Sequence, residues 1–348
     1  MNLSNNSIVL SKSKPTEKPS NPTQPTEKPT KYRSIMDKSV DTSYVIAPVD
    51  KALIKEELKS ATLLKKTNYV GREIYLTTAH ATPNIMREIG RLREISFGAN
   101  GGGSGTECDV DEYDLAPEPH CYRQLFVWDP NDEEIIGGYR YIVGKNIFRQ
   151  ANGELLSATA DLFEFTDTFG TRYLDNTMEL GRSFVRPDYQ PTHNLRKGMY
   201  SLDNLWDGLG GLVVKDESIK YFFGKITMYP SMNRTARDYI LYFYKKHFPD
   251  NEGLVLPKES VEIETDYNLL VKLFTGKSYK EDYQILVRNV RELNENIPPL
   301  VNAYMNLSST MKSFGTSINK HFSDVEETGI LVTIADIYED KRKRYLKL

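Results

Sequence analysis

Apolar and polar positions change period along the chain, and the changes mark where it folds. Residues 11–32 contain P-T-E-K-P twice and no apolar side chain before Tyr32, too little apolar surface to offset the entropy of ordering, so a disordered Pro/Thr/Lys-rich tail is predicted over 1–45. Ile54, Leu58, Leu63 and Leu64 among Lys and Glu predict an amphipathic helix. E-I-Y-L-T-T at 73–78 reads as a strand. Thr82 or Asn84 can then cap a helix whose apolar positions Ile85, Met86, Ile89, Leu92 and Ile95 recur every three or four residues. The apolar runs 122–128 and 134–143 flank D-P-N-D, whose residues suit turn dihedrals, so a β-hairpin is expected. A helical stretch is expected over 155–169, a buried strand within Asn176 to Tyr189, and helical packing over 195–214. Residues 220–229 read as a central strand stopped by Pro230, with Ser231 capping a helix that carries Ala236, Tyr239, Ile240, Phe243 and Tyr244 on one face. The charged stretch 262–296 has no readable pattern. A helix over 300–307, a strand over 329–337 and a basic terminus, K-R-K-R-Y-L-K, close the chain.

Composition narrows the class. The 348 residues are 39% hydrophobic and 27% charged with a formal net charge of -3, the balance of a globular protein rather than of a nucleic-acid binder. Two cysteines, Cys108 and Cys121, make neither a disulfide framework nor a zinc site and suggest a reducing, cytoplasmic compartment. No run of 18 apolar residues exists to cross a membrane, and residues 1–10 lack the apolar core of a secretion signal. The basic terminus could meet anionic lipid, which would place the protein peripherally at the inner face of the cytoplasmic membrane.

Candidate chemistry centres on N-T-M-E-L-G-R-S-F-V. Glu179 and Arg182 lie beside Leu180, Phe184 and Val185, and two charges in so apolar a strand cost several kcal/mol unless paired or used. Strand alternation would set Glu179, Gly181 and Ser183 on one face and Leu180, Arg182 and Phe184 on the other. An ion pair between the two charges is the alternative to a catalytic role. Arg93 and Phe97 end the helix over 85–95, and the glycines from Gly98 to Gly105 could wrap an anion through backbone N–H groups or form a mobile lid. Without a following G-K-[ST] they are no P-loop. Asp109, Asp111 and Asp114 lack the glycine and terminal glutamate of a calcium loop, so no metal is expected. An amine is the better ligand for them. Gly137-Gly138 followed by Arg140 suggests a bulge or the close approach of a ligand. No G-x-S-x-G elbow is present, and the five histidines form no triad or metal motif, which leaves direct attack by a bound substrate.

These segments resemble a family. E-L-G-R-S-F-V with its following P-x-Y, R-L-R-E-x-x-F, D-x-D-E-Y-D, G-G-Y-R and P-x-L-x-x-A-Y at 298–304 are similar to the acyl-carrier-protein-dependent amino-acid N-acyltransferases. These are the ornithine-lipid and glycine-lipid enzymes, often called hemolysin-like, related to acyl-homoserine-lactone synthases. L-W-D-G-L-G-G and F-G-x-x-G-G-G-S-G look most like the Bacteroidetes glycine-lipid branch. The resemblance implies an α/β, GNAT-like fold: a mixed, splayed central β-sheet flanked by helices, as a core over 46–250 with a C-terminal α/β extension over 251–348 packed on it. It further implies transfer of a (3-hydroxy) fatty acyl group from acyl carrier protein to a small amino acid, glycine foremost. No cofactor is implied beyond the acyl-phosphopantetheine of that co-substrate. Glu179 would be the general base, with N–H groups near Ser183 and Phe184 stabilising the oxyanion. Arg140 or Arg182 would hold the substrate carboxylate. Asp111 and Asp114 would orient the amine or pair with Arg93, and Phe97 would line the substrate site. After the strand, P-T-H-N-L-R-K-G-M-Y has a single glycine, a poor pyrophosphate cradle. That favours a carrier protein over free CoA, with His193, Arg196 and Lys197 meeting its phosphate or its acidic surface. The alternatives are an acyl-CoA-dependent N-acetyltransferase, a homoserine-lactone-type synthase, or a silent acyl-binding module.

Overall fold

The computed structural model describes residues 42–191 and 193–346; the predicted tail, apart from its last four residues, lies outside them. The described residues form one compact unit. Its eight-stranded sheet takes strands β1 (Thr62–Lys66), β2 (Glu73–Thr77), β3 (Arg123–Asp129), β4 (Glu134–Val143), β5 (Thr177–Val185), β6 (Tyr221–Met228), β7 (Lys312–Asn319) and β8 (Val325–Thr333). Their order is β1-β2-β3-β4-β5-β6-β8-β7, antiparallel throughout except for β5 against β6. This is the mixed α/β sheet flanked by helices that the motifs imply, and the stretch 251–348 supplies its last two strands rather than standing apart from it.

Helix α1 (Lys51–Leu58) and helix α2 (Pro83–Gly98) cover one face, where Ile85, Ile89 and Leu92 pack with Phe126, Trp128 and Phe184. Thr82 sits at the N-cap of α2 without a side-chain cap bond. The Glu57 carboxylate of α1 takes the Asn84 and Ile85 N–H groups instead, at 3.0 and 2.8 Å. Helix α3 (Ser201–Lys215) and helix α4 (Arg234–His247) lie on the other face, over Leu125, Val127, Met178, Leu180 and Ile226. Each such fully buried side chain contributes roughly 2 kcal/mol of transfer free energy.

Three expectations are corrected. Leu63 and Leu64 belong to β1, not to the first helix. The stretch 155–169 is not a helix. It holds short strands at Leu155–Leu156 and Phe163–Phe165, the second paired with Val255–Pro257, and a helix begins only at Asp167. Short apolar runs carry no reliable period, and a pairing 92 residues away in sequence decided this one. The cap of α4 is Asn233, whose side chain accepts from Ala236 N–H at 3.2 Å, not Ser231. The unreadable stretch 262–296 contains two helices, Tyr267–Leu273 and Tyr279–Glu292, whose inner faces close the core beside α4.

Candidate active site

Strands β5 and β6 pair only at their beginnings, Thr177 with Tyr221, Met178 with Phe222 and Glu179 with Phe223. Beyond Glu179 they part, although β5 runs on to Val185 and β6 to Met228. Glu179 sits at the apex, buried, on the α2 side of the sheet. Its Oε1 accepts the Tyr122 hydroxyl and, at 3.1 Å, the Thr159 N–H. Among the described residues nothing hydrogen-bonds Oε2. Burial, and then the Glu179 charge, push the Tyr122 hydroxyl well above the ordinary tyrosine range, so it stays a donor.

Three residues on, β5 bulges. Its register with β4 steps from Gly138–Phe184 to Arg140–Gly181, so Arg182 and Ser183 together face one residue, Tyr139. Arg182 takes a left-handed backbone (φ 47), unusual for a side chain of its size. The extra residue resets the alternation. Leu180 lies on the face opposite Glu179, under α3, but Phe184 packs under α2 and Arg182 reaches Asp109 on that same side at 2.9 Å. The expected grouping of Leu180 with Arg182 and Phe184 is therefore corrected, and Glu179 and Arg182 do not pair with each other. Just past the bulge, where β4 meets Val185, Gly137 is obligatory, since a Cβ there would lie 2.4 Å from the Phe184 carbonyl oxygen.

The remaining charged candidates form one buried network. Arg93 pairs with Asp114 at 2.9 Å and with the Gln124 amide oxygen at 2.6 Å, with Arg93 and Asp114 fully enclosed. Arg140 Nη1 donates to both Asp111 oxygens, at 2.7 and 2.6 Å, and to Asp114 at 3.2 Å, while its guanidinium stacks 4.8 Å over the Tyr122 ring. Arg182 adds a 3.6 Å contact to Asp111 and lies 4.2 Å from the Phe322 ring, against which Phe97 packs edge-on at 5.2 Å. Burial works to raise the Asp111 pKa, but the charges and hydrogen bond of Arg140, then Arg182, hold it well below the usual carboxylate range. Asp111 also caps the short helix Glu112–Leu115 through the Tyr113 and Asp114 N–H groups. Because buried charges must be paired, each arginine is already committed to aspartates of 109–114.

The glycine-rich segment does wrap a carboxylate, but the protein's own. Glu94 accepts from Ser104 N–H and Oγ at 2.9 and 2.8 Å and from Gly105 N–H at 3.0 Å, and Gly103 turns at φ 107 where a Cβ would strike that carboxylate. The expected mobile lid is pinned at its other side too, where Ser323 Oγ donates to the Gly103 carbonyl at 3.0 Å.

On the α3 side, the parted strands meet tyrosines. Tyr139 faces Ser183 and Tyr304, which comes from helix α5 (Pro299–Met305); burial raises both phenols above their ordinary range. The Tyr304 hydroxyl stands 3.3 Å from where a Cβ on Gly224 of β6 would be. Beyond β5, His193 and Arg196 are exposed with Leu195 and Met199. Lys197 instead donates to Asp132 at 2.7 Å and lies 4.9 Å over the Tyr189 ring, and its carbonyl accepts from Arg72.

Tyr122, Thr159, Lys225, Glu327 and Tyr304 also belong to this region, although the sequence reading gave none of them a role. For Lys225 the signal existed: like Glu179, it is a charge inside an apolar strand, K-Y-F-F-G-K-I-T-M-Y.

A sheet whose central parallel pair parts beside a bulged strand, just past a buried carboxylate, defines a GNAT-type acyltransferase. Residues 92–197 match the model of the acetyltransferase (GNAT) domain family. The chain is 53% identical over 303 residues to the glycine N(alpha)-acyltransferase of Phocaeicola vulgatus, covering 87% of this chain and 92% of that protein. It is equally similar to the enzyme of that name from Bacteroides thetaiotaomicron, over 87% of this chain and 89% of the relative. The chain belongs to this glycine N(alpha)-acyltransferase family and is an acyltransferase. No solved structure matches it.

Proposed function

We propose that the protein transfers a (3-hydroxy) fatty acyl group from acyl carrier protein to the amine of glycine, forming a lyso-aminolipid. The observation that carries this reading is the parting of β5 from β6 at Glu179, with one carboxylate oxygen held by Tyr122 and Thr159 and the other without a hydrogen-bond partner among the described residues. The two relatives' name adds the acceptor.

In this mechanism the acyl-pantetheine thioester lies between the parted strands. Glycine's ammonium gives a proton to Glu179 Oε2, directly or through one water, and the free amine attacks the thioester carbonyl. Backbone N–H groups at the bulge, near Ser183 and Phe184, hold the oxyanion, an interaction worth roughly 3 kcal/mol per donor. The C–N bond forms and the C–S bond breaks; the thiolate takes a proton from the buried Tyr139 or Tyr304 hydroxyl, and the second proton shed by the new amide nitrogen restores that hydroxyl, directly or through water. Exposed His193 and Arg196, flanked by Leu195 and Met199, suit the acidic carrier protein and its phosphodiester. Lys197 is less available, since Asp132 occupies it.

A cytoplasmic reaction against the inner face of the membrane is part of this proposal. Arg342 and Lys343 in the last turn of helix α6 (Glu339–Tyr345) would meet anionic lipid, whereas Arg344 is held by Asp203 at 2.8 Å. Among the described residues no helix is long and apolar enough to cross a membrane. Incubating the protein with 3-hydroxypalmitoyl acyl carrier protein and a panel of amino acids, with product read by lipid mass spectrometry, should yield N-acylglycine. No N-acyl product from any amino acid would overturn the proposal.

A further inference from the structure

An amino acid offers its acyltransferase a carboxylate as well as an amine, and the arginines first in line to hold it are occupied. Arg93, Arg140 and Arg182 are each bonded to Asp109, Asp111 or Asp114. Another cation, Lys225, faces the same cleft. Lys225 lies two residues past the last β5–β6 pair, and its Nζ donates to Thr159 Oγ1 at 3.0 Å and to the Ala158 carbonyl at 3.4 Å. Thr159 is also the residue whose N–H binds Glu179, so a single residue ties the lysine to the apex carboxylate.

Beside Lys225 is an unfinished partner. Glu327 of β8 is buried, and its Oε2 stands 4.0 Å from Lys225 Nζ, near enough to feel the charge and too far for a hydrogen bond. That oxygen has no hydrogen-bond partner among the described residues. A buried carboxylate oxygen without a donor costs stability unless something else fills the position. Its natural complement is a zwitterion, with an ammonium for the glutamate and a carboxylate for the lysine.

We infer that Lys225 and Glu327 form the acceptor site, Lys225 binding the amino acid's carboxylate and Glu327 its ammonium before Glu179 takes the proton. This rests on the reading that the acceptor is an amino acid. Gly329, paired opposite Lys225, would carry a Cβ 3.2 Å from the Phe163 ring, so that ring closes this side of the site.

The test compares glycine with glycinamide, which keeps the amine and lacks the carboxylate, using 3-hydroxypalmitoyl acyl carrier protein as donor. Wild-type protein should prefer glycine. Lys225→Met should raise the glycine KM on the order of 10- to 100-fold, the loss expected for a hydrogen bond to a charged group. It should leave the donor KM unchanged and erase the preference over glycinamide. Lys225→Arg, which keeps the charge, should restore much of that preference, and Glu327→Gln should raise KM for both amines. Thermal melts confirm that each variant is folded. Where Lys225→Met does not fold, the Glu327→Gln result decides, and an unchanged glycine KM in a folded Glu327→Gln overturns the assignment. A folded Lys225→Met that still prefers glycine overturns it while leaving the amino-acid acceptor in place. A wild type that acylates no amino acid overturns the functional reading itself and this site with it.

Discussion

Glu179 is held by two donors of different strength, and they make separable predictions. The Tyr122 hydroxyl is a charge-assisted donor to Oε1, so Tyr122→Phe should lower kcat about 10-fold or more with little change in either KM, checked by steady-state kinetics. The arginine–aspartate network calls for a different measurement. Asp114 is fully enclosed and receives Arg93, Arg140 and the Gln124 amide, so Asp114→Asn leaves buried guanidinium charge uncompensated. It should cost about 3–5 kcal/mol in urea unfolding, whatever it does to catalysis. Asp111 adds a pH dependence. Its folded pKa is depressed below the ordinary 3.8 by Arg140 and Arg182, so the stability it adds is complete above 3.8 and is lost as pH falls below that value. The melting-temperature gap between wild type and Asp111→Asn should thus be flat between about pH 5 and 8 and close as the pH drops below the unfolded value. At this scale the sequence was informative wherever a charge interrupts an apolar strand. Glu179 stood out for that reason, and Lys225 carried the same mark. What it could not show is that every arginine in the cluster already has its aspartate, because pairing joins residues 93, 109–114, 140 and 182 only after folding.

Among elements, the bulge in β5 was invisible in advance. Arg182 is neither Gly nor Asn, so its left-handed backbone has no sequence signature, and an uninterrupted alternation placed Phe184 on the wrong face. The visible trace was in the neighbouring strand, where Gly137-Gly138 raised the expectation of a bulge or a close approach. Gly137→Ala puts a Cβ against a backbone carbonyl of the bulged strand, which cannot swing aside. Destabilisation of about 1–3 kcal/mol is expected in thermal or urea unfolding, with acyl transfer falling further than stability alone requires. Strands 62–66 and 312–319 and the short strands at 155–156 and 163–165 were missed or misassigned for a related reason. Their pairings, local for three of them and about 90 residues away for 163–165, define them more than their own periodicity does. The hairpin β3–β4 and the helices α2 and α4, whose patterns are local and long, were legible.

In the whole molecule, the last two strands complete the catalytic sheet. β8 pairs with β6 along its length, from Glu326–Met228 to Thr333–Tyr221, and carries Glu327 into the cleft. Removing 312–348 would leave β6 with an open apolar edge, so that truncated chain should be insoluble or lack a near-ultraviolet circular dichroism signal. The family likeness spans 87% of the chain, consistent with a single catalytic unit rather than a core with an optional appendage. The central claim is that the parted strands, with Glu179 at their apex, carry out acyl transfer. Single-turnover transfer from 3-hydroxypalmitoyl acyl carrier protein to glycine, comparing wild type with a folded Glu179→Gln variant, tests it most directly. The wild type should give N-acylglycine and the variant none despite normal donor binding; product at a near-normal rate from Glu179→Gln would remove Glu179 from the reaction.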